Sequence, residues 1–179
     1  IVFTHDITFL LMLEEFSKEL KTKLEINSLT RKKVVTGIIA NRPPWDTLSV
    51  GKRIKELNRF HQDLAKLERE ETEEVYSPKT KTLYGMLRET WERCIEEIVL
   101  NDCIKRFGRE IQTKKLGKII DLTKDDYDIV EQNMSKCSKI FYGHDSAGEL
   151  IDEVPSALEL KSDIEVLDRF VIQIIERRK

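Results

Sequence analysis

The chain contains little glycine and little proline, 7 and 4 in 179 residues. Turn-rich β sandwiches need both residue types in quantity, so their scarcity favours helices. No stretch approaches the roughly 18 consecutive apolar residues of a membrane-spanning helix, and no membrane partner is expected. The first residues also lack the basic region and the small-residue cleavage site of a signal peptide.

Cysteine is scarce as well. Cys94, Cys103 and Cys137 are an odd number and form no C-x-x-C pair. This usage predicts reduced thiols in a cytoplasmic protein. The three cysteines and the three histidines lie too far apart in sequence for the spacing of a zinc site, so no metal site is expected.

An excess of charge of one sign is also absent. The 31 basic and 33 acidic side chains leave a net charge of −2, so nucleic acid could be attracted only by a local patch. One basic strip occurs between residues 105 and 118, with Glu110 as its one acid, and it predicts contacts with RNA phosphates. The alternative is a charged surface loop. The strip consists of Lys105, Arg106, Arg109, Lys114, Lys115 and Lys118.

Apolar and β-branched residues predict a small α/β layer at residues 1–40. The run "IVF" is typical of a strand end, and Asp6 can cap a helix over 7–21. Two short strands are predicted within 24–30 and 33–40. Two adjacent prolines indicate a linker at 41–49.

Residues 50–179 carry apolar residues at helical spacing. Helices are predicted over residues 50–75, 79–106, 123–142 and 157–177. Ser49 is expected to cap the first, and Pro78 to end it. Capping boxes that begin at Thr123, with Asp126, and at Ser156 start the last two. The predicted fold class is therefore mainly α, with a strand–helix–two-strand remnant followed by a bundle of four or more helices.

The segment "VFTHD" and the helix after it resemble the histidine switch of ABC and SMC-like ATPase heads. The resemblance implies that His5 reaches the γ-phosphate of ATP, to which a neutral imidazole N–H can donate. A histidine with a purely structural role is the alternative. The chain lacks the G-x-x-x-x-G-K-[ST] phosphate loop, so we expect no ATP binding or hydrolysis by this chain alone. Because it begins without methionine and within a predicted strand, we expect a C-terminal fragment whose longer parent protein holds ATP with Mg²⁺.

The stretches "VFTHD", "LRETWERCIEE" and "MSKCSKIFYGHD" are similar to the C-terminal region of bacterial defence ATPases of the PrrC and RloC type. These are SMC-like, AAA-family ATPases that act in phage defence and are fused to an anticodon nuclease. The resemblance implies a tRNA-directed ribonuclease that needs no metal, with Arg88, Glu92 and His144 as its catalytic residues. Histidine and glutamate would exchange protons with the RNA, and arginine would stabilise the charged phosphate.

Several alternatives stay open. Arg93 and Glu97 have the same i, i+4 spacing as Arg88 and Glu92, and such pairs are common on solvated helix faces. The helical part could instead be a non-catalytic interaction or dimerisation module on an ATPase head. A third hypothesis is a helical scaffold in which "VFTHD" is coincidental. The partners considered are the upstream head of the same polypeptide, a second copy of the chain, and RNA.

Overall fold

The computed structural model describes residues 1–40, 43–106, 110–142 and 154–179. These residues form five α-helices and one two-stranded antiparallel sheet, which confirms the mainly α fold class. The chain divides into two compact units, Ile1–Leu48 and Ser49–Lys179. In the described part of the chain, no helix is both long enough and apolar enough to cross a membrane.

The first unit begins with helix α1, Ile7–Glu19. Asp6 caps it as predicted, because its Oδ1 accepts hydrogen bonds from the backbone N–H groups of Thr8 and Phe9 at 2.8 and 3.2 Å. The predicted strand at residues 1–3 does not form. These residues are exposed and have no strand partner in the described part of the chain, and a strand needs such a partner for its backbone hydrogen bonds.

Strands β1 (Leu29–Lys32) and β2 (Val35–Ile39) form a hairpin. Both predicted strands are present, but the first begins five residues later than its predicted range. The later start of β1 follows from the tight turn between the strands, where Lys33 has a left-handed φ of 52°. A two-residue turn fixes which residues lie opposite each other, so pairing begins next to the turn.

The second unit contains helices α2 (Val50–Glu70), α3 (Glu73–Cys94), α4 (Lys124–Tyr142) and α5 (Ala157–Arg177). A π-helical turn, Ile95–Val99, continues α3, and a short 3₁₀ helix spans Thr113–Lys118. Helix α3 packs against the other three helices, and α2 also packs against α5. The predicted helical bundle is therefore present in this unit.

The core of this unit consists of the apolar stripes that the sequence predicts. Leu57 and Leu64 of α2, Leu87 of α3 and Leu160 of α5 are all fully or almost fully buried. Full burial of one such side chain contributes about 1.5–3 kcal/mol, so these stripes are the main source of stability. Two large rings join α3 to α5, because Trp91 packs on Phe170 with ring centroids 5.5 Å apart.

Two helix ends differ from the prediction. Pro78 does not end a helix; it lies in the second turn of α3, where its missing N–H removes a single helical hydrogen bond. The first of the two helices ends earlier, at Glu70, and α3 begins at Glu73. The helix predicted to continue to residue 106 ends at Val99, because Asn101 and Asp102 adopt left-handed φ values of 49° and 52°.

Of the caps predicted for the second unit, those at Thr123 and Ser156 form and the one at Ser49 does not. Thr123 and Asp126 form the expected reciprocal pair, in which each backbone N–H donates to the other side chain at 2.8 and 3.2 Å. Ser156 Oγ accepts from the backbone N–H of Glu159 at 3.1 Å. Ser49 makes no side-chain cap; instead Glu97 Oε2 accepts from the N–H of Val50 at 3.0 Å.

Candidate functional site

Helix α3 places Arg88 and Glu92 at the edge of the bundle. Leu87 and Trp91, the residue before each, are fully buried and so fix the orientation of the helix. Arg88 Nη1 and Glu92 Oε1 form an ion pair at 2.8 Å, with 28% and 26% of their side chains exposed. The predicted pair is therefore formed and is partly accessible to solvent.

Arg88 also connects α3 to the last turns of α4. Its Nε donates to Ser138 Oγ at 3.0 Å, and its guanidinium carbon lies 5.9 Å from the centre of the Tyr142 ring. The sequence interpretation named neither Ser138 nor Tyr142. Their i, i+4 spacing on the predicted helix, just before His144, is the signal that could have found them.

Arg106, a residue of the predicted basic strip, reaches the same pair. Its Nη2 lies 3.4 Å from Glu92 Oε2, and its Nε lies 3.7 Å from Glu96 Oε2. Arg93 Nη1 lies 3.4 Å from Glu96 Oε1. Three arginines thus contact two glutamates: Arg88 lies near Glu92, Arg93 lies near Glu96, and Arg106 lies near both.

The alternative pair, Arg93 and Glu97, has different surroundings. Glu97 accepts a hydrogen bond from the first N–H of α2, where a carboxylate also interacts favourably with the helix dipole. Arg93 contacts the neighbouring Glu96. This arrangement gives Glu97 a structural role at the α2 terminus, whereas Arg88 and Glu92 lie beside the end of α4.

Two predicted site residues, His144 and Arg109, lie outside the described residues. Along the chain, His144 follows Tyr142 by two positions. Arg109 belongs to the predicted basic strip.

The remaining residues of the strip lie on both sides of a gap in the described residues. Lys105 is half-buried directly before Arg106, whereas Lys114, Lys115 and Lys118 lie on the 3₁₀ helix. Lys114 and Lys118 are exposed, and Lys115 Nζ donates to the backbone carbonyl of Asp102 at 3.5 Å. The exposed lysines can contact phosphates, and their role in RNA binding stays a prediction.

His5 is exposed and directly precedes the cap residue of α1. An imidazole in this position can donate a hydrogen bond. The chain carries no phosphate loop, so nothing in its sequence supplies the backbone N–H groups that usually hold the triphosphate. The residues present therefore do not fit ATP as a complete site.

A second polar cluster lies inside the bundle. Tyr84, which is fully buried on α3, donates to Asp163 Oδ2 of α5 at 2.7 Å. Lys136 of α4 lies 2.8 Å from both Asp163 and Glu159. Burial, together with the bond to Asp163, raises the pKa of Tyr84 far above its usual range. This cluster joins three helices, with Tyr84 and Asp163 buried and with Lys136 and Glu159 partly exposed.

The three cysteines are buried free thiols. Burial raises the pKa values of Cys94 and Cys137 to about 12, so neither is a thiolate nucleophile at neutral pH. Within residues 1–40, 43–106, 110–142 and 154–179, no group of three His, Cys, Asp or Glu side chains could hold a metal ion.

Comparisons with protein families, with curated proteins and with solved structures find no match to this chain. The assignment of a function therefore rests on the residues themselves.

Proposed function

We propose that the unit Ser49–Lys179 is a ribonuclease domain that cleaves tRNA without a metal ion. In this proposal a longer parent protein of the ABC/SMC-like, PrrC and RloC type supplies the ATPase head that controls it. Residues 1–40 are the end of that head, and His5 is the residue that would contact ATP held by the parent. The buried thiols and the tRNA substrate are consistent with a cytoplasmic protein.

One observation carries the ribonuclease proposal. Arg88 holds Glu92 by an ion pair and also contacts Ser138 and Tyr142 in the last turns of α4. The sequence then continues directly to His144. A carboxylate and a guanidinium thus lie beside the last turns of α4, and His144 follows Tyr142 by two positions in the sequence.

The proposal assigns Glu92, His144 and Arg88 to cleavage by the ribose 2′-hydroxyl. Glu92 is assigned the role of the base that takes the 2′-hydroxyl proton. The 2′-oxygen attacks the phosphorus, and the bond to the 5′-oxygen of the next nucleotide breaks. His144 donates a proton to that leaving oxygen, and Arg88 stabilises the charge on the pentacoordinate phosphate. The products are a 2′,3′-cyclic phosphate and a 5′-hydroxyl.

The proposal is tested by incubating the full chain with tRNA in the presence of a chelator and identifying the new RNA ends. We expect wild-type cleavage with cyclic phosphate ends, and a loss of about 100-fold or more in His144→Ala and in Glu92→Gln. Glu56→Gln is the matched control, because Glu56 pairs with Arg59 on α2 and has the same 26% exposure. It should cleave like wild type, and added ATP should change nothing.

Equal cleavage by wild type and His144→Ala would remove His144 from the mechanism. No cleavage by the wild-type chain would refute the ribonuclease proposal for this chain.

The second candidate is a non-catalytic interaction module. It is favoured by the ion-pair cluster itself, since both members of the Arg88–Glu92 pair also contact residues outside α3, as in many structural ion pairs. In that case Glu92→Gln would lower the free energy of unfolding by about 1 kcal/mol or less and would leave RNA unaffected. Measuring unfolding and cleavage on the same variant separates the two functions.

A further inference from the structure

Tyr142 presents an aromatic ring to solvent beside the candidate site. Its exposed fraction is 62%, although it is the last residue of α4 and follows the partly buried Phe141. The two rings pack edge to face, with centroids 4.8 Å apart and planes at 74°. The Phe141 ring thus supports the Tyr142 ring from one side, while much of the Tyr142 side chain stays accessible.

Close packing between α3 and α4 positions the Phe141 ring, and through it the Tyr142 ring. A Cβ atom at Gly85 would lie 2.7 Å from two carbons of the Phe141 ring, so only glycine permits this approach. Phe141 in turn supports Tyr142, whose ring lies 5.9 Å from the Arg88 guanidinium, within the range of a cation–π contact. The aromatic surface therefore lies next to the Arg88–Glu92 pair.

Arg106 supplies a positive charge at the same place. Its side chain is 55% exposed, and its contacts with Glu92 and Glu96, at 3.4 and 3.7 Å, are longer than the 2.8 Å ion pair of Arg88. A phosphate group can therefore bind Arg106 with little loss of protein contacts. Arg88, by contrast, is held by Glu92 and Ser138.

We propose that Tyr142 stacks on an unpaired base of the RNA and that Arg106 binds the adjacent phosphate, so that the scissile bond lies at Arg88 and Glu92. This inference rests on the proposed function and assigns Tyr142 and Arg106 to binding the nucleotide beside the scissile bond. Aromatic rings stack on bases that are splayed out of a helix, whereas a base inside a duplex has both faces covered. Tyr142 and Arg106 thus select unpaired nucleotides.

The test measures binding separately from cleavage. The full chain is titrated with a single-stranded 2′-O-methyl RNA of about eight nucleotides, which lacks the attacking hydroxyl, and with a strand of the same length that is abasic at every position. Tyr142→Leu should weaken binding of the intact RNA about ten-fold, because a base–aromatic stack is lost. The Tyr142→Leu variant and wild type should bind the abasic RNA equally, and Tyr142→Phe should bind like wild type.

Tyr127→Leu is the matched control, because Tyr127 lies in the first turn of the same helix with 63% exposure. It should bind both RNAs like wild type. An equal loss in Tyr127→Leu and Tyr142→Leu, or an equal loss for intact and abasic RNA, would overturn the stacking role. Arg106→Gln should weaken binding of both RNAs and should flatten the salt dependence; an unchanged salt dependence would contradict the phosphate contact.

The outcomes also separate this inference from the ribonuclease proposal. Loss of cleavage in His144→Ala with unchanged binding in Tyr142→Leu would keep the ribonuclease and refute the stacking role. Selective loss of binding in Tyr142→Leu together with full cleavage by His144→Ala would keep the stacking role and refute the proposed mechanism.

Discussion

Asp126 combines two structural roles in one carboxylate. It accepts hydrogen bonds from the N–H and the hydroxyl of Thr123 at the start of α4. It also pairs with both terminal nitrogens of Arg177 at the end of α5, at 2.6 and 3.1 Å. The hydrogen bond from Arg177, followed by the bonds from Thr123, lowers the pKa of Asp126 to about 2. The charged form is therefore the one that stabilises the fold.

This shift predicts how stability depends on pH. Because the folded pKa lies below the value of about 3.9 in an unfolded chain, ionised Asp126 stabilises the fold fully above pH 4–5, and this stabilisation is lost as the pH falls toward 2. Asp126→Asn should lower the free energy of unfolding by about 2 kcal/mol at pH 7. The difference between wild type and variant should shrink steadily on acidification, measured by urea unfolding at several pH values.

Asp128→Asn is the control for this experiment. Asp128 follows Asp126 by two residues on the same helix, and it pairs with the largely exposed Lys124. Its effect should stay below about 1 kcal/mol at neutral pH. A difference between wild type and Asp126→Asn that is constant from pH 7 to pH 2 would contradict the assigned role of Asp126.

At the scale of the elements, the contact between α3 and α4 depends on Gly85. Glycine inside a helix is unfavourable by about 1 kcal/mol relative to alanine, so its presence in α3 needs a reason. The reason is the Phe141 ring, two of whose carbons lie where a Cβ would meet them at 2.7 Å. At this position glycine lowers helix propensity but allows α3 and α4 to pack closely.

Gly85→Ala should therefore lower the free energy of unfolding by about 1–3 kcal/mol, the usual cost of overpacking, despite the better helix propensity of alanine. Gly51→Ala in α2 is the matched control, because no atom lies within 4 Å of its added Cβ. It should be neutral or stabilising by up to about 1 kcal/mol. Thermal and urea unfolding measure both variants, and adding Phe141→Leu should restore the stability of Gly85→Ala. A neutral Gly85→Ala would show that Phe141 moves away without cost.

At the scale of the whole molecule, the two units differ in how much apolar surface they bury. The buried apolar side chains of the described residues, apart from Leu48, all belong to Ser49–Lys179. Helix α1 buries no side chain, and Phe9, Phe16 and Leu20 on its apolar stripe are exposed. A helix and a hairpin without a buried core are not stable alone in water.

The fragment 49–179 should accordingly fold by itself and unfold in one cooperative transition in urea, followed by circular dichroism. The fragment 1–48 should show no cooperative transition under the same conditions. A cooperative transition in 1–48, or its absence in 49–179, would contradict this distribution of stability.

The sequence predicted the second unit well because its elements are defined by local rules. The bounds of α5, the capping pair of Thr123 and Asp126, and the apolar stripes all follow from helical periodicity and from hydrogen bonds between near neighbours. The same rules were misleading at Pro78 and after Cys94. The cost of the proline depends on its place in the helix, and the left-handed residues Asn101 and Asp102 end the π-helical turn that continues α3 to Val99.

What the sequence by itself determined is the mainly α fold class, the caps at Asp6, Thr123 and Ser156, and the i, i+4 spacing of Arg88 and Glu92, since each depends on residues a few positions apart. Only the tertiary structure decided which groups surround that pair. Ser138 and Arg106 lie 50 and 14 residues from their partners, and they meet because α3 packs against α4 and because the chain turns back after Val99. Contacts between residues so far apart depend on how whole helices pack, which no local pattern encodes.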